Sequence, residues 1–328
     1  MLTTVVNEDL GSLRSLYDYP LTLIDAGAGG GINRRWEKFR NLVAVGFEPD
    51  ERAFNKLKHS DRFRWFQMGL YGSNGTFELN ITRSQTGTSL LEPNLELIQT
   101  LQLDLSDFDI IRKARIPCRT LDSICQEYGL APHVVKIDTQ GTEIAILQGA
   151  ERLLRDSIFA VEAEVEFLPF YKNQALFTDV HLYLARLGFQ LMDYMNPVRV
   201  RGRHSSSERG ARSHLLSADT LYFKTIECMI EDLKQSNKAS LSAAVAICVA
   251  YGCDDYALEL CRAVRQMVPA LEERTNHHLR HLQKLQGSWH RRTRDFLTRF
   301  KIMRSIGKRI RWYLTPSERS PGLGSGHF

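Results

Sequence analysis

The stretch "LTLIDAGAGGGINRRWEKF", residues Leu21–Phe39, joins a short apolar run to a cluster of glycines and then to a charged segment. An apolar run of this length, closed by glycines, predicts a buried strand followed by a tight turn. A helix is then expected to begin near Asn33. Glycines at such a turn let the backbone bend sharply and let a ligand approach the main chain. The stretch therefore predicts the first strand and turn of an α/β fold, with either a ligand cradle or only a tight turn at its centre.

The glycine cluster departs from the dinucleotide motif G-x-G-x-x-G. Gly27 and Gly29 occupy the first two glycine positions, but the third position is Ile32. Asp25 stands two residues before the first glycine, where its carboxylate would repel a pyrophosphate. An acid at this place suits a cationic ligand that carries an ammonium group and a sulfonium centre. The cluster therefore counts against an NAD-dependent oxidoreductase.

A second acid, Glu48 in "VAVGFEPD", closes the next predicted strand. A carboxylate at that position can accept hydrogen bonds from both hydroxyls of a ribose, in NAD and in S-adenosylmethionine alike. The alternative is a glycine turn with an unrelated surface acid. Because Asp25 and Glu48 end consecutive strands, the pair favours a nucleotide site over that alternative.

The periodicity of apolar residues divides the chain into three segments. Up to about residue 225, short β-rich runs alternate with helical patterns, which predicts a mostly parallel sheet with helices on both faces. From residue 226 onward the apolar spacing is helical only, and residues 243–267 read as a helix pair turned at Gly252. We therefore expect a domain over residues 1–225, a helical extension over 226–315 and a flexible tail over 316–328.

Composition and cysteine usage restrict the class of protein. The 328 residues are 43% hydrophobic and 25% charged, which is typical of a soluble globular protein. The six cysteines include no C-x-x-C pair and no companion histidines at metal-ligand spacing, so neither a disulfide framework nor a zinc site is indicated. No signal peptide is visible, and no run reaches the roughly 18 apolar residues that a membrane span needs. These features predict a cytoplasmic protein.

Six motifs in this order resemble the FkbM-type S-adenosylmethionine-dependent methyltransferases. They are "LIDAGAGGG", "VAVGFEPD", "TGTSLLEP", "RTLDSI", "VVKIDTQGTEIAILQGA" and "EVEFLPFYKNQALFTDVHLYLARLGFQLMDY". The resemblance covers roughly residues 21–224, and the block at residues 134–150 is its most diagnostic part. It implies a class I methyltransferase (Rossmann-like) fold with a seven-stranded sheet, whose final strand runs antiparallel. The cofactor, S-adenosyl-L-methionine, is then expected above the carboxyl ends of the first strands.

The resemblance also implies which residues bind this cofactor. Asp25, Gly27 and Gly29, with Ala26 between them, are expected along the methionine moiety. Glu48 is expected to hold the ribose. The residues after the third strand, Gln67 and Met68, are expected to flank the adenine.

The chemistry of methyl transfer to a hydroxyl requires alignment of the reactants and a group that accepts the hydroxyl proton. Asp138 ends the fourth strand in the crevice where such sheets bind ligands, so it is the first candidate for the base. It could instead orient the cofactor or cap the helix that follows. Lys136 shares its side of the strand and would keep the acid charged. The sequence "DTQG" at residues 138–141 differs from the Asn/Asp-Pro-Pro-Tyr motif of some N-methyltransferases, which favours an oxygen acceptor.

Three further acids, Glu162, Glu164 and Glu166, alternate along one face of a predicted strand. Burying all three without partners is costly, so at least one is expected to face the acceptor pocket or a basic partner. Glu164 and Glu162 are therefore further catalytic candidates. Asp138 and Glu164 would supply only part of an octahedral ligand set, and no metal site is expected. A packing or surface role is expected for His181.

Basic residues dominate residues 291–311, where nine lysines and arginines accompany a single acid, Asp295. Apolar residues recur at helical spacing between them, which is typical of a helix that lies on an anionic membrane surface. The segment 289–314 could equally pack its apolar stripe on the preceding domain. The rest of the chain lacks the basic balance of a nucleic-acid groove, so no nucleic-acid partner is expected.

Together these features predict an S-adenosylmethionine-dependent O-methyltransferase. The expected acceptor is a small molecule or glycan, namely a hydroxyl of a sugar or of a glycosylated or polyketide-like metabolite. The alternatives are a noncatalytic methyltransferase-like binding module and, with less support, an NAD-dependent oxidoreductase. A cytoplasmic enzyme that contacts the inner face of the membrane through residues 289–314 is the expected location.

Overall fold

The computed structural model describes residues 16–204, 213–235 and 240–284. These described residues contain ten strands, which are β1 Leu21–Ala26, β2 Leu42–Phe47, β3 Phe63–Phe66, β4 Gly69–Leu70, β5 Gly75–Thr82, β6 Ile110–Arg119, β7 Val134–Ile137, β8 Ala160–Glu166, β9 Phe189–Val200 and β10 His214–Lys224. The α-helices that both begin and end within these residues are α1 Glu51–Phe54, α2 Leu95–Thr100, α3 Leu121–Tyr128, α4 Glu143–Gln148, α5 Glu151–Asp156, α6 Phe177–Arg186, α7 Ile226–Lys234, α8 Leu241–Tyr251 and α9 Asp254–Met267. Residues 272–284 are helical as well.

Seven of the strands form one sheet in the order β3-β2-β1-β7-β8-β10-β9. Neighbouring strands are parallel from β3 to β8, whereas β10 runs antiparallel to both β8 and β9. The central strands β1, β7 and β8 are almost fully buried, because helices cover both faces of a parallel sheet. This topology confirms the predicted fold class, including the antiparallel final strand.

A second, three-stranded sheet of order β4-β6-β5 was not expected from the sequence. The β-rich run "FRWFQMGLY", residues 63–71, is divided at residues 67–68, and its two strands, β3 and β4, lie in different sheets. Strands β5 and β6 pair antiparallel, with Leu79, Ile81 and Ile116 buried on their inner side. The small sheet therefore adds an apolar wall beside the carboxyl edge of the large one.

The residues described after Lys224 form helices, as predicted for the extension. Helix α8 is apolar all round and buried along most of its length, and Gly252, at φ 75°, turns the chain into α9. These helices belong to the same compact unit as the sheet, which extends to Leu279. A second unit begins at Arg280, and the basic segment 289–314 and the tail 316–328 lie outside the described residues.

Within the described residues, no helix is both long enough and apolar enough to cross a membrane.

Candidate active site

The carboxyl ends of four neighbouring strands bring the predicted acids to one edge of the sheet. Asp25 is the penultimate residue of β1, Glu48 follows β2 directly and Asp138 follows β7 directly. Glu164 lies within β8. Because β2, β1, β7 and β8 are adjacent and parallel, the acids converge although more than a hundred residues separate the first from the last.

The glycine turn after β1 is shaped by close approach to two other elements. Gly27 has φ +83°, and a Cβ placed on it would lie 1.8 Å from the carbonyl oxygen of Asp138. A Cβ on Gly29 would lie 2.9 Å from Oε2 of Glu48. The helix expected from Asn33 is a short 3₁₀ turn, Arg34–Lys38, which the Asn33 side chain caps by accepting from the backbone N–H of Arg35.

A cavity of about 500 Å³ opens beside this turn. Its wall includes seven of the residues predicted for the site, which are Ala26, Gly27, Gly29, Glu48, Met68, Asp138 and Glu164. The other three predicted residues do not line it. Asp25 is buried at the end of β1 with 2% of its surface exposed, Gln67 is exposed, and Glu162 faces Arg35 and Tyr251.

The Glu48 carboxylate is held by the backbone that follows it. Its Oε1 accepts a hydrogen bond of 2.8 Å from the backbone N–H of Asp50, while Oε2 faces Gly29. Burial raises the pKa of Glu48 to about 7, against the opposing effect of the Asp50 N–H. Asp50 is in turn held by Arg52, whose guanidinium nitrogen lies 2.6 Å from its carboxylate.

Lys136 of β7 lies between two carboxylates of the site. Its Nζ lies 3.7 Å from Oδ1 of Asp25 and 3.4 Å from Oδ2 of Asp138. Burial raises the pKa of Asp25 to about 6, although Lys136 opposes the shift. Burial also disfavours the charged form of Lys136, but the surrounding carboxylates outweigh it and raise its pKa. This lysine therefore stays charged.

Asp138 and Glu164 form a carboxyl pair that Gln140 bridges. The Gln140 Nε2 donates to Oδ1 of Asp138 at 3.0 Å and to Oε2 of Glu164 at 2.6 Å. Burial and the neighbouring Asp138 raise the pKa of Glu164 to about 10. Burial acts in the same direction on Asp138, but Lys136 and the hydrogen bonds of Glu164 and Gln140 outweigh it and lower its pKa. At neutral pH the pair thus holds one proton, on Glu164, and Asp138 is ionised.

The sequence did not single out Gln140, which connects this pair to its surroundings. Its Oε1 accepts a hydrogen bond of 3.0 Å from the hydroxyl of the buried Tyr171, and its carbonyl accepts one of 2.7 Å from Ser89. Gln140 also has φ 60°, a left-handed conformation that non-glycine residues seldom adopt. Only its place in "DTQG", two residues after Asp138, could have drawn attention to it.

Two other predicted features lie away from the cavity. Glu166 is 4% exposed, and burial together with nearby Glu143 raises its pKa to about 9. The ring of His181 stacks on Phe177 with 5.5 Å between the centroids, in keeping with the packing role expected for it.

Among the described residues, no group of three or more histidines, cysteines or acids is placed to hold a metal ion. The absence of a metal dependence stays a prediction.

Comparison with known proteins gives one family and several structural neighbours. The profile of the family described as "Methyltransferase FkbM domain" matches residues 25–191. A search of curated proteins finds no significant match.

Three solved structures illustrate the structural matches. The methyltransferase FkbM from Methylobacillus flagellatus KT matches with a TM-score of 0.35 and 16% identity, over 65% of this chain and 45% of that one. A putative S-adenosylmethionine-dependent methyltransferase from Listeria monocytogenes matches with a TM-score of 0.35 and 11% identity, over 64% and 92%. Magnesium protoporphyrin IX methyltransferase from Synechocystis PCC 6803, solved with bound SAM, matches with a TM-score of 0.30 and 11% identity, over 63% and 71%. The chain thus spans less than half the length of the first of these proteins.

Proposed function

Because the chain belongs to the FkbM methyltransferase family, whose domain covers residues 25–191, we propose that it methylates a hydroxyl of a sugar, a glycan or a related glycosylated or polyketide-like metabolite. The observation that carries the proposal is the position of Asp138 in the wall of the cavity, with its Oδ2 3.4 Å from Nζ of Lys136 and its Oδ1 bridged to Glu164 by Gln140. An ionised carboxylate at that place can accept a proton from a hydroxyl.

S-adenosylmethionine, the cofactor of this family, supplies an electrophilic methyl group on a sulfonium centre. The residues at the edge of the sheet are suited to bind this cofactor. Among the described residues, Oδ1 of the buried Asp25 accepts no hydrogen bond, and a Cβ on Gly27 or Gly29 would clash with Asp138 or Glu48. Asp25 and the turn would hold the methionine moiety, and Glu48 would hold the ribose. Met68 lines the cavity where adenine is expected, whereas Gln67 is exposed and its role stays a prediction.

Asp138 has the surroundings that a general base needs. Its side chain is 37% exposed, in the wall of the cavity, so an acceptor hydroxyl can reach it. Lys136 keeps it ionised, and Gln140 fixes the direction of its carboxylate. A positioned base of this kind contributes about 10²–10⁴-fold to the rate of such a step. Glu164 would then hold its proton nearby without competing as a base.

The lining of the cavity supports a polar acceptor. Beside the acids, one side carries hydroxyl and amide groups from the loop after β5, which are Gln85, Thr86, Thr88 and Ser89. The small sheet supplies an apolar side with Leu79 and Ile116. A sugar ring has hydroxyls for the first surface and C–H faces for the second. This combination favours a glycosidic acceptor over a purely apolar one.

The test is transfer of a labelled methyl group from S-adenosylmethionine to a panel of sugars, glycosides and amines by the full chain. We expect methylation of at least one hydroxyl-bearing compound and none of the amines. Binding of S-adenosylhomocysteine without transfer to any acceptor would support the noncatalytic module instead. Methylation of amines alone would contradict an oxygen acceptor.

The variant Asp138→Asn tests the base with the acceptor found in that panel. We expect turnover to fall by about two or more orders of magnitude, while S-adenosylhomocysteine affinity stays within a few-fold of the wild type. Asp61→Asn, which changes an exposed aspartate, is the control. Equal losses in turnover and affinity would make Asp138 a cofactor ligand, and retained turnover would shift the role to Glu164.

A further inference from the structure

Helix α8 of the C-terminal extension reaches the methyltransferase sheet through its last residue, Tyr251. The Tyr251 hydroxyl donates a hydrogen bond of 2.6 Å to Oε2 of Glu162 in β8. The guanidinium of Arg35 lies 3.2 Å from the same oxygen and 4.4 Å above the centre of the tyrosine ring. Trp36 packs edge-on against that ring at 5.7 Å. Glu162, which is 4% exposed, thus receives its cation and a hydrogen bond from two elements outside its strand.

The register of the sheet places Glu162 in one row with two residues of the active site. Asp25 pairs with Lys136 across β1 and β7, and Lys136 pairs with Glu162 across β7 and β8. Residues paired in this way project from the same face of the sheet. Lys136 is therefore a neighbour of acids on both sides, yet its Nζ makes its ion pairs with Asp25 and Asp138.

The reason for this one-sided pairing is that Glu162 is already satisfied. A buried carboxylate that loses its cation attracts the nearest remaining one, because an unpaired buried charge is costly. In this row the nearest remaining cation is Lys136. Its movement toward Glu162 would leave Asp25 and Asp138 without their counter-ion.

We propose that Arg35 and Tyr251 are positioning residues for the cofactor site: by holding Glu162 they keep Lys136 on Asp25 and Asp138. Helix α8 is then a part of the active site, although it lies outside the matched family domain. The inference depends on the proposed function only where it concerns Asp138, since the effect on Asp25 concerns cofactor binding alone.

The test is a pair of variants of the full chain, Arg35→Met and Arg35→Met with Glu162→Gln, titrated with S-adenosylhomocysteine by calorimetry. Arg35→Met leaves Glu162 unpaired, and we expect its affinity to fall about tenfold, within the usual range of coupling between contacting charged groups. The double variant has no carboxylate to attract Lys136, and we expect it to regain affinity to within about threefold of the wild type. Loss of packing around Arg35 alone would give no such recovery.

Tyrosine variants supply a second measurement in case Arg35→Met does not fold. Tyr251→Phe removes the hydroxyl that reaches Glu162 and should weaken S-adenosylhomocysteine binding. The matched control is Tyr256→Phe in α9, whose hydroxyl donates to the backbone carbonyl of Lys224 at 2.8 Å. We expect the control to change the melting temperature but not the affinity.

Two results would overturn the proposal. One is an unchanged affinity in folded Arg35→Met, and the other is a double variant that binds as weakly as the single one. For the tyrosine variants, equal effects of Tyr251→Phe and Tyr256→Phe on the affinity would also overturn the proposal. Because these titrations need no acceptor, failure of the proposed O-methylation would leave their outcome unaffected.

Discussion

The acids at the edge of the sheet differ in protonation because each has different neighbours. Burial raises the pKa of Asp25 to about 6 and that of Glu48 to about 7, whereas burial and the neighbouring Asp138 raise that of Glu164 to about 10. Asp138 is the exception, since Lys136 and its hydrogen bonds lower its pKa against the effect of burial. The sequence predicted that Lys136 keeps Asp138 charged, because the two residues share a side of one strand. It could not predict that Glu164 is neutral, since that depends on a contact between different strands.

The pH dependence of cofactor binding follows from Asp25 and Glu48. Each carboxyl must be ionised to attract an ammonium group or to accept two ribose hydroxyls, so protonation weakens binding. We expect S-adenosylhomocysteine affinity to be highest above about pH 7 and to fall as the pH decreases through about 7 and then 6. Calorimetric titrations between about pH 8 and about pH 5, which span one unit on either side of these values, measure this directly.

Replacement of Glu48 separates the two decreases in affinity, the one at about pH 7 and the one at about pH 6. Glu48→Gln should lose about 1.5–3 kcal/mol of binding free energy at pH 8, the range for losing charge-assisted hydrogen bonds, and should keep only the lower step. Glu51→Gln, a change of an exposed acid in α1, is the matched control. Wild-type affinity in folded Glu48→Gln would exclude the ribose assignment.

Keeping Glu164 protonated in the fold lowers the free energy of unfolding at neutral pH. A side chain that cannot ionise in the unfolded chain avoids this cost. Since burial and Asp138 raise its pKa from 4.5 to about 10, the folded protein holds a proton that the unfolded chain releases. The cost therefore increases as the pH rises from about 4.5 toward 10. We expect Glu164→Gln to increase the free energy of unfolding by about 1–3 kcal/mol at pH 8 and to change it little at pH 4.5.

Chemical denaturation at the two pH values provides the measurement. Glu96→Gln, at an exposed position of α2, is the control, and its free energy of unfolding should match that of the wild type at both pH values. A Glu164→Gln protein that is less stable than the wild type at pH 8 would mean that Glu164 is ionised in the fold.

At the scale of elements, regular patterns in the sequence were sufficient to predict the large sheet but not the small one. Strands β1, β2 and β7 are short, mainly apolar runs with an acid at or next to their carboxyl ends, and they form as predicted. Strand β8, in which apolar residues alternate with glutamates, also forms as predicted. Strand β6 contains Pro117 and four basic residues, and six of its ten residues are exposed, so it lacks a clear apolar period. In β5 the alternation of Phe77, Leu79 and Ile81 was the available signal. The apolar wall of the cavity was missed for this reason.

The turn between β1 and the 3₁₀ turn that follows offers a matched pair of glycines. A Cβ on Gly29 would lie 2.9 Å from Oε2 of Glu48 and 3.2 Å from Cβ of Ala53, whereas one on Gly30 would meet nothing within 4 Å. We expect Gly29→Ala to weaken S-adenosylhomocysteine binding by about tenfold, because Glu48 must move, and Gly30→Ala to weaken it less, because no described protein atom has to move. Equal affinities of the two variants in the same titration would show that the position of Glu48 does not limit binding.

At the scale of the whole molecule, the apolar pattern predicted where strands end but not how the helices pack. The last strand ends at Lys224, next to the boundary expected after residue 225. The helices α7 to α9 nevertheless belong to one compact unit with the sheet, since α8 buries nearly all of its apolar surface there. A local pattern cannot reveal this, because burial on all sides depends on which distant surface the helix meets.

The last prediction concerns the basic segment 289–314, which lies outside the described residues and for which we propose peripheral contact with an anionic membrane. Each lysine or arginine near such a surface adds about 1 kcal/mol of attraction, so several together can hold the protein at the surface. The attraction must weaken with salt, because exposed charges are screened beyond about 8 Å at physiological ionic strength. We expect the full chain to co-sediment with phosphatidylserine vesicles at low salt and to be released as salt is added.

A chain that stops before Gly287 is the comparison, since it keeps the whole compact unit up to Leu279. It should stay in the supernatant at every salt concentration and bind S-adenosylhomocysteine like the full chain. If the segment instead packs on the preceding unit, neither protein sediments with vesicles, and the shortened chain melts at a lower temperature because an apolar face is uncovered. Sedimentation and melting temperature of the same two proteins therefore decide between a membrane contact and an internal one.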